Sequence, residues 1–306
     1  MAKLGYCCIS LGINLGKAHK DYISTNRTMI HRTFIEKGLS YVSELAIANI
    51  DDCQKVLKYN ISKGIKLYRL SSDMFAFMGF YEFSQLPNFK TIEFKLKSLG
   101  DYIKSNNIRV SFHPGPFDVL ASENSAVVNK TIIDLNRHAQ LLDMMGLDAT
   151  PYYPINIHIN TTKPTREEAA ARFCTNFAKL SPSCKSRLTL ENDDSPNQYS
   201  VKMLYDLVYT KIGIPIVFDQ HHFLYGPQDQ DMESALKLAC STWNVTPITH
   251  MSSSKYIEDK KSIKTAHADY LYEEIQTFGL DFDTEIEAKA KDLALFKYIS
   301  DFNSSL

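Results

Sequence analysis

Little in this chain of 306 residues points to an oxidising compartment or a membrane. Its six cysteines, Cys7, Cys8, Cys53, Cys174, Cys184 and Cys240, contain no Cys-x-x-Cys pair. A chain of this length buries a core large enough to fold without disulfide staples, so the thiols read as reduced. No run of ~20 apolar residues exists to form a transmembrane helix. The opening residues, MAKLGYCCIS, hold no apolar stretch long enough for a signal peptide. The expected location is therefore cytoplasmic or nuclear, with no membrane partner. Net charge is also scarce: 34 Lys and Arg against 35 Asp and Glu leave −1. A molecule that is not a polycation overall can bind nucleic acid only through a local patch. Neither a Gly-x-Gly-x-x-Gly nor a Walker pattern occurs, and there is no linker, low-complexity tract or sequence repeat.

What is present is a repeat of pattern. Short apolar runs bounded by Gly, Pro, Asn or Asp read as eight strands: Lys3–Ser10, Ile65–Ser72, Ile108–Pro114, Ile155–Asn160, Leu188–Asn192, Ile214–His222, Pro247–Ser252 and Asp281–Ala288. Helix-length segments lie between them, such as Glu44–Lys63, Thr91–Asn106, Ser125–Met145 and Glu167–Leu180. In Ser125–Met145 the apolar Val128, Ile132, Leu135, Leu141 and Met145 recur at helical spacing. Strand and helix alternating eight times predict a parallel sheet closed into a TIM (β/α)8 barrel, as one domain over residues 1–306.

The downstream ends of six consecutive strands carry His113, His158, Glu191, Asp219 with His222, His250, and Glu287. In such a barrel these ends meet at one face, where catalytic groups are built. Residues dozens of positions apart would thus converge on one small volume. A lone strand-end histidine is usually structural; a set of this size needs six separate accidents. Imidazole and carboxylate suit Zn²⁺, Mn²⁺ or Fe²⁺, and no thiolate is positioned to join them. Clustered divalent ions suit phosphodiester hydrolysis, and they also let neighbouring acids stay ionised together. Asp219 and His222 are three apart, so both face the centre only if the strand end turns there. His221 should point away and support a ligand rather than bind an ion. His19, His31 and His138 read as surface or helix-packing residues. Of the acid run Glu191-Asn192-Asp193-Asp194, only Glu191 sits at a strand end. Basic residues follow several strands: Arg27 and Arg32, then Lys255, Lys260, Lys261 and Lys264, then Lys289 and Lys291. They can track a phosphate backbone or simply be solvated. Phe117 and Phe223, just past strand ends, can wedge between bases, with core packing as the default account.

Eight short motifs occur in order: Leu4-Gly5-Tyr6, Asn26-Arg27-Thr28, Tyr68-Arg69-Leu70-Ser71-Ser72-Asp73, His113-Pro114-Gly115, Leu190-Glu191-Asn192-Asp193, Asp219-Gln220-His221-His222, Ala266-His267-Ala268-Asp269-Tyr270 and Glu287-Ala288-Lys289. Together they resemble the UV damage endonuclease family over nearly the whole chain. The resemblance implies a monomeric barrel with two or three divalent ions, most often Mn²⁺ with Zn²⁺ as the alternative. It implies double-stranded DNA carrying UV or other damage as partner. A metal-bound hydroxide would cut immediately 5′ of a pyrimidine dimer whose bases are flipped out of the stack. A crosslinked dimer stacks poorly, so its extrusion costs less than that of intact bases. By motif match the implied ligands are His113, His158, Glu191, Asp219, His222, His250, His267 and Glu287, with Glu191, Glu287 and Asp219 as the catalytic carboxylates. Tyr6 falls beside the lesion, and Arg27, Pro116, Phe117, Lys255, Lys260 and Lys289 fall on the DNA.

Three departures from the family pattern stand out. Residues 76–80 lack a histidine ligand usual there, Ile248 replaces a lysine able to carry a bridging carboxylate, and Pro116-Phe117 replaces a Gln-Tyr probe. Two other readings compete. A xylose-isomerase-like sugar isomerase or epimerase would need no basic front loops. A damage-binding protein with weak catalysis would follow from lost ligands.

Overall fold

The computed structural model describes residues 2–302 and residue 304. Eight parallel strands form one sheet: β1 (Leu4–Cys7), β2 (Leu67–Arg69), β3 (Arg109–Ser111), β4 (Ile155–Ile157), β5 (Leu188–Glu191), β6 (Ile216–Asp219), β7 (Ile248–Met251) and β8 (Asp283–Ile286). Each lies inside its expected run but is only three or four residues long. Neighbours in the sheet are neighbours in the chain, and β1 pairs with both β2 and β8. The gap between β3 and β4 is bridged at Phe112 and Ile155. There Phe112 N–H donates to Pro154 C=O and Asn156 N–H donates to Phe112 C=O, both at 2.9 Å. The sheet is therefore a nearly closed TIM barrel.

The outer helices form where the apolar spacing says they should. Helix α1 (His31–Ser62) buries Val42, Ala46, Ile50, Cys53 and Leu57 on one stripe, and α2 (Phe89–Ser105) buries Ile92, Leu96, Leu99 and Ile103. The start of α1 was not legible, because Gly38 breaks it at φ 60° and splits it into two helical pieces. Helix α3 (Ser125–Met144) starts at Asn124, whose side chain accepts from Ala126 N–H. Helix α4 (Arg166–Phe177) follows β4, α5 (Val201–Leu204) follows β5, α6 (Gln220–Tyr225) and α7 (Met232–Ser241) follow β6, and α8 (Asp292–Phe302) follows β8.

The eightfold alternation fails once. After β7 the chain makes a 3₁₀ turn at Lys255–Ile257 and no α-helix before β8. This stretch is held instead by Glu258, whose carboxylate accepts from the backbone N–H of Asp269 and Tyr270 and from the Tyr272 hydroxyl.

Alternation along each strand sorts the barrel interior into layers. At the upstream end, fully buried Arg109 pairs with Asp283 at 2.9 Å. Above it Leu67, Val217 and Ile248 pack together as an apolar plug. Two residues further along the same strands come Arg69, Asp219, His250 and Glu285, and the interior turns polar. The plug seals the downstream mouth from the opposite end.

Candidate metal centre

Glu191 ends β5 fully buried, and four imidazoles surround it. Its Oε2 lies 3.2 Å from His113 Nε2, 3.7 Å from His158 Nε2 and 3.0 Å from His250 Nδ1. Its Oε1 lies 3.1 Å from His222 Nδ1. Glu287 joins from the end of β8, with Oε1 3.4 Å from His250 Nδ1. Two groups have ligand atoms all within 4.8 Å of one another: His113, Glu191, His250 and Glu287, and His158, Glu191 and His222. Glu191 belongs to both, as a carboxylate bridging two ions would.

The turn required between Asp219 and His222 exists. Asp219 leaves the strand as the cap of α6, its Oδ1 accepting from His222 N–H at 2.7 Å, and the first helical turn swings His222 back over the mouth. Asn192 locks this strand end by bonding both backbone groups of Asp219. Several imidazoles are oriented by carbonyls: His113 Nδ1 lies 3.1 Å from Pro114 C=O, His222 Nδ1 2.9 Å from Asn192 C=O and His267 Nδ1 3.2 Å from Glu287 C=O. Each such bond fixes a tautomer and leaves Nε2 as a lone-pair donor.

The donor set passes a test of fit for divalent ions. Buried Glu191 Oε1, Asp219 Oδ2, His158 Nδ1 and His250 Nδ1 make no hydrogen bond. Orphaned buried polar atoms are costly, and ion coordination is one way to satisfy several at once. Burial opposes ionisation of Glu191, yet the His250 and His158 imidazoles hold its carboxyl well below the usual range. Burial likewise opposes ionisation of Glu287, and Arg69 and His250 outweigh it. Burial pushes His113 down, toward the neutral form that ligates, whereas the neighbouring carboxylates raise His158, His222 and His250.

Of the eight expected ligands, six fall in these two groups. Asp219 and His267 stand at the margin, His267 Nδ1 being 3.6 Å from Glu287 Oε2. His221 is buried behind the ligands, as expected, with Nε2 on Thr265 C=O. His138 is a buried packing residue edge-on to Phe112. The sequence reading missed Glu285, Ser111 and Asn156, whose amide donates to Glu191 Oε2. It also missed Asp193, whose Oδ1 is 3.2 Å from His158 Nδ1. A two-residue period was the available signal, since Asp283, Glu285 and Glu287 share one strand face. Cys8 also lines the mouth, where no thiol was expected; burial raises its pKa, so it is a neutral thiol.

The residues expected on DNA divide sharply. Phe117 is 86% exposed beside exposed Pro116, so core packing does not account for it. Phe223, by contrast, packs against the core beside Phe218. Tyr6 needs correction: it is fully buried, its ring against Tyr68 and its hydroxyl donating to Asn60 of α1 at 2.6 Å, so it faces the helix layer rather than a nucleotide. Arg27 is tied to Asp52 at 2.6 Å, and Lys255 to Glu258 at 2.6 Å and Asp269 at 2.9 Å. Lys260 lies over the Tyr256 ring at 4.4 Å, and Lys289 is exposed.

The family model described as UV-endonuclease UvdE matches residues 2–305. A UV DNA damage endonuclease of Clostridium perfringens is 31% identical over 308 residues, covering 97% of this chain and 70% of that protein. Among solved structures, SacUVDE superposes with a TM-score of 0.84 at 26% identity, covering all of both chains. A D-psicose 3-epimerase from Clostridium cellulolyticum H10 gives a TM-score of 0.53 at 12% identity, over 78% of this chain and 79% of that one, a likeness of fold alone.

Proposed function

Because the chain belongs to the UV-endonuclease UvdE family and is a UV-damage repair endonuclease, we propose that its barrel mouth cuts the damaged strand 5′ of the lesion on a centre of two divalent ions. The observation that carries this reading is Glu191, shared by two ligand groups in a buried mouth. His113, His250 and Glu287 would hold one ion with Glu191, and His158 and His222 the other, with Asp219 at the margin. Such ions supply charge to stabilise the attacked phosphate and lower the pKa of water beside it. Carboxylate and imidazole without thiolate suit Mn²⁺, with Zn²⁺ as the second choice.

The remaining work falls to this chain's own side chains. Asn156 holds Glu191 Oε2 and Asn192 holds the backbone of Asp219, which leaves Glu191 Oε1 and Asp219 Oδ2 free of hydrogen bonds. Phe117, on the rim, stacks in the gap that an extruded lesion leaves. Lys260 and Lys289 serve the phosphates, whereas Arg27 and Lys255 mainly brace their loops. All ligands come from one chain, which supports action as a monomer on double-stranded DNA. The test is nicking of UV-irradiated supercoiled plasmid with Mn²⁺. Incision restricted to irradiated DNA and abolished by chelator is expected. Equal nicking of undamaged plasmid, or nicking indifferent to chelator, refutes it.

A further inference from the structure

The turn that carries Phe117 is tied to the body of the barrel by a half-buried pair of acids. Gly115, Pro116 and Phe117 are all exposed, and Asp118 N–H closes the turn onto Gly115 C=O at 3.1 Å. Pro116 at the second position presets its shape. Asp118 then tucks in, its carboxyl at hydrogen-bonding distance from that of Asp134 on α3. One helical turn on, His138 is nearly fully buried, with Nδ1 3.3 Å from Asp134 Oδ2 and 3.0 Å from Asp134 C=O. Lys130 of α3 also acts on the pair, and Asp73, from the turn after β2, lines the same cavity. Two carboxylates that touch do not both ionise at ordinary pH, so the pair keeps one proton. That proton stays on Asp118. Burial, and then the Asp134 charge, push Asp118 up to about 7, whereas His138 outweighs burial at Asp134 and holds it down. Apolar packing does little to fix the turn. Phe117 and Asp118 line a cavity of about 490 Å³ with Phe77 and Phe80, so open space adjoins the ring.

We propose that Asp118 is a positioning residue for Phe117: a proton held between Asp118 and Asp134 latches the exposed turn to α3, and binding of damaged DNA weakens where that proton leaves. In the latched form the Asp118 O–H donates to the Asp134 carboxylate. When the proton goes to solvent, the two carboxylates repel, and the turn swings off α3 with its phenyl ring. The direction with pH follows. A free aspartate gives up its proton near about 3.9. The latched one keeps it up to about 7, so the latch is strongest below the free value, weakens as pH rises, and is lost as pH passes through the latched value. Neither Asp118, Asp134 nor His138 is among the expected metal ligands, so the latch works apart from the ion centre.

The inference rests on the reading of Phe117 as the stacking residue, and two measurements keep the two failures apart. The first uses no DNA. Hydrogen exchange of residues 114–120 in Mn²⁺-loaded protein is compared between wild type and Asp118→Asn at pH 5.5 and pH 8.5, after correction for intrinsic rates. The asparagine amide donates to Asp134 at either pH. Equal protection is expected at pH 5.5, and weaker protection of the wild type at pH 8.5. The second is affinity for UV-irradiated duplex by fluorescence anisotropy. Between pH 5.5 and pH 8.5 the wild type should lose about tenfold more affinity than Asp118→Asn, the scale of one base stacked on an aromatic ring. Asp118→Ala, which has no donor, should bind weakly at both pH values. In a Phe117→Ala background Asp118→Asn should no longer alter the pH profile. Equal exchange of wild type and Asp118→Asn at pH 8.5 overturns the latch. Parallel pH profiles of binding in wild type and Asp118→Asn overturn the positioning role. Phe117→Ala binding as tightly as wild type refutes the stacking reading itself, and the exchange comparison still decides the latch.

Discussion

Phe117 separates a wedge from a core residue without appeal to relatives. A phenyl ring 86% exposed on the rim of a metal-competent mouth loses apolar burial and gains nothing in the free protein. Stacking of a base on an aromatic ring is worth roughly 1–3 kcal/mol. Phe117→Ala should therefore weaken binding to UV-damaged duplex about tenfold or more while leaving bound manganese unchanged; equal affinity by fluorescence anisotropy contradicts the role. Glu191→Gln keeps shape but removes the charge shared by both ion groups. It should lower Mn²⁺ affinity by at least roughly 10–100-fold and abolish nicking. Calorimetry showing intact metal binding in Glu191→Gln would place the ions elsewhere.

The segment after β7 behaves as an element although it lacks a helix. Glu258 organises it through Lys255 and two backbone donors. Burial opposes ionisation of Glu258, but the bond from Lys255 and those from Asp269 and Tyr270 bring its pKa down to about 2. A carboxyl depressed in the folded state adds stability above its unfolded value of about 4.3 and loses it as pH falls through the folded value. Protease sensitivity of residues 252–272 should accordingly rise between pH 4.5 and pH 2. Glu258→Gln should produce the same sensitivity at neutral pH with metal content unchanged; a loop equally protected in this variant contradicts the bracing role. The same geometry explains why Lys255→Ala should disturb the loop more than DNA binding. Lys260→Ala and Lys289→Ala should each reduce the salt dependence of binding by about one phosphate contact.

For the molecule as a whole, the mouth concentrates negative charge that the net −1 conceals. Ions binding there stabilise the folded state by mass action, by about 2.7 kcal/mol when free ion is 100 times its Kd. Mn²⁺ should raise the melting temperature by several degrees and chelator should reverse it. A transition temperature indifferent to Mn²⁺ shows that no tight site exists.

Composition, the strand–helix rhythm and the strand-end residues were enough to give the barrel, Glu191 and the five residues that converge on it, because alternation and helical spacing are local consequences of which face is buried. Local pattern also marked His222 as needing a turn after Asp219. It did not reveal that Tyr6 faces α1, that β7 leads into a helix-free loop, or that Glu285 and Arg69 meet beside His250. Those depend on how far each strand advances before the chain turns and on which strands lie opposite across the barrel. Only the closed sheet, by bringing β2 and β8 within reach of each other, decides which buried charge compensates which.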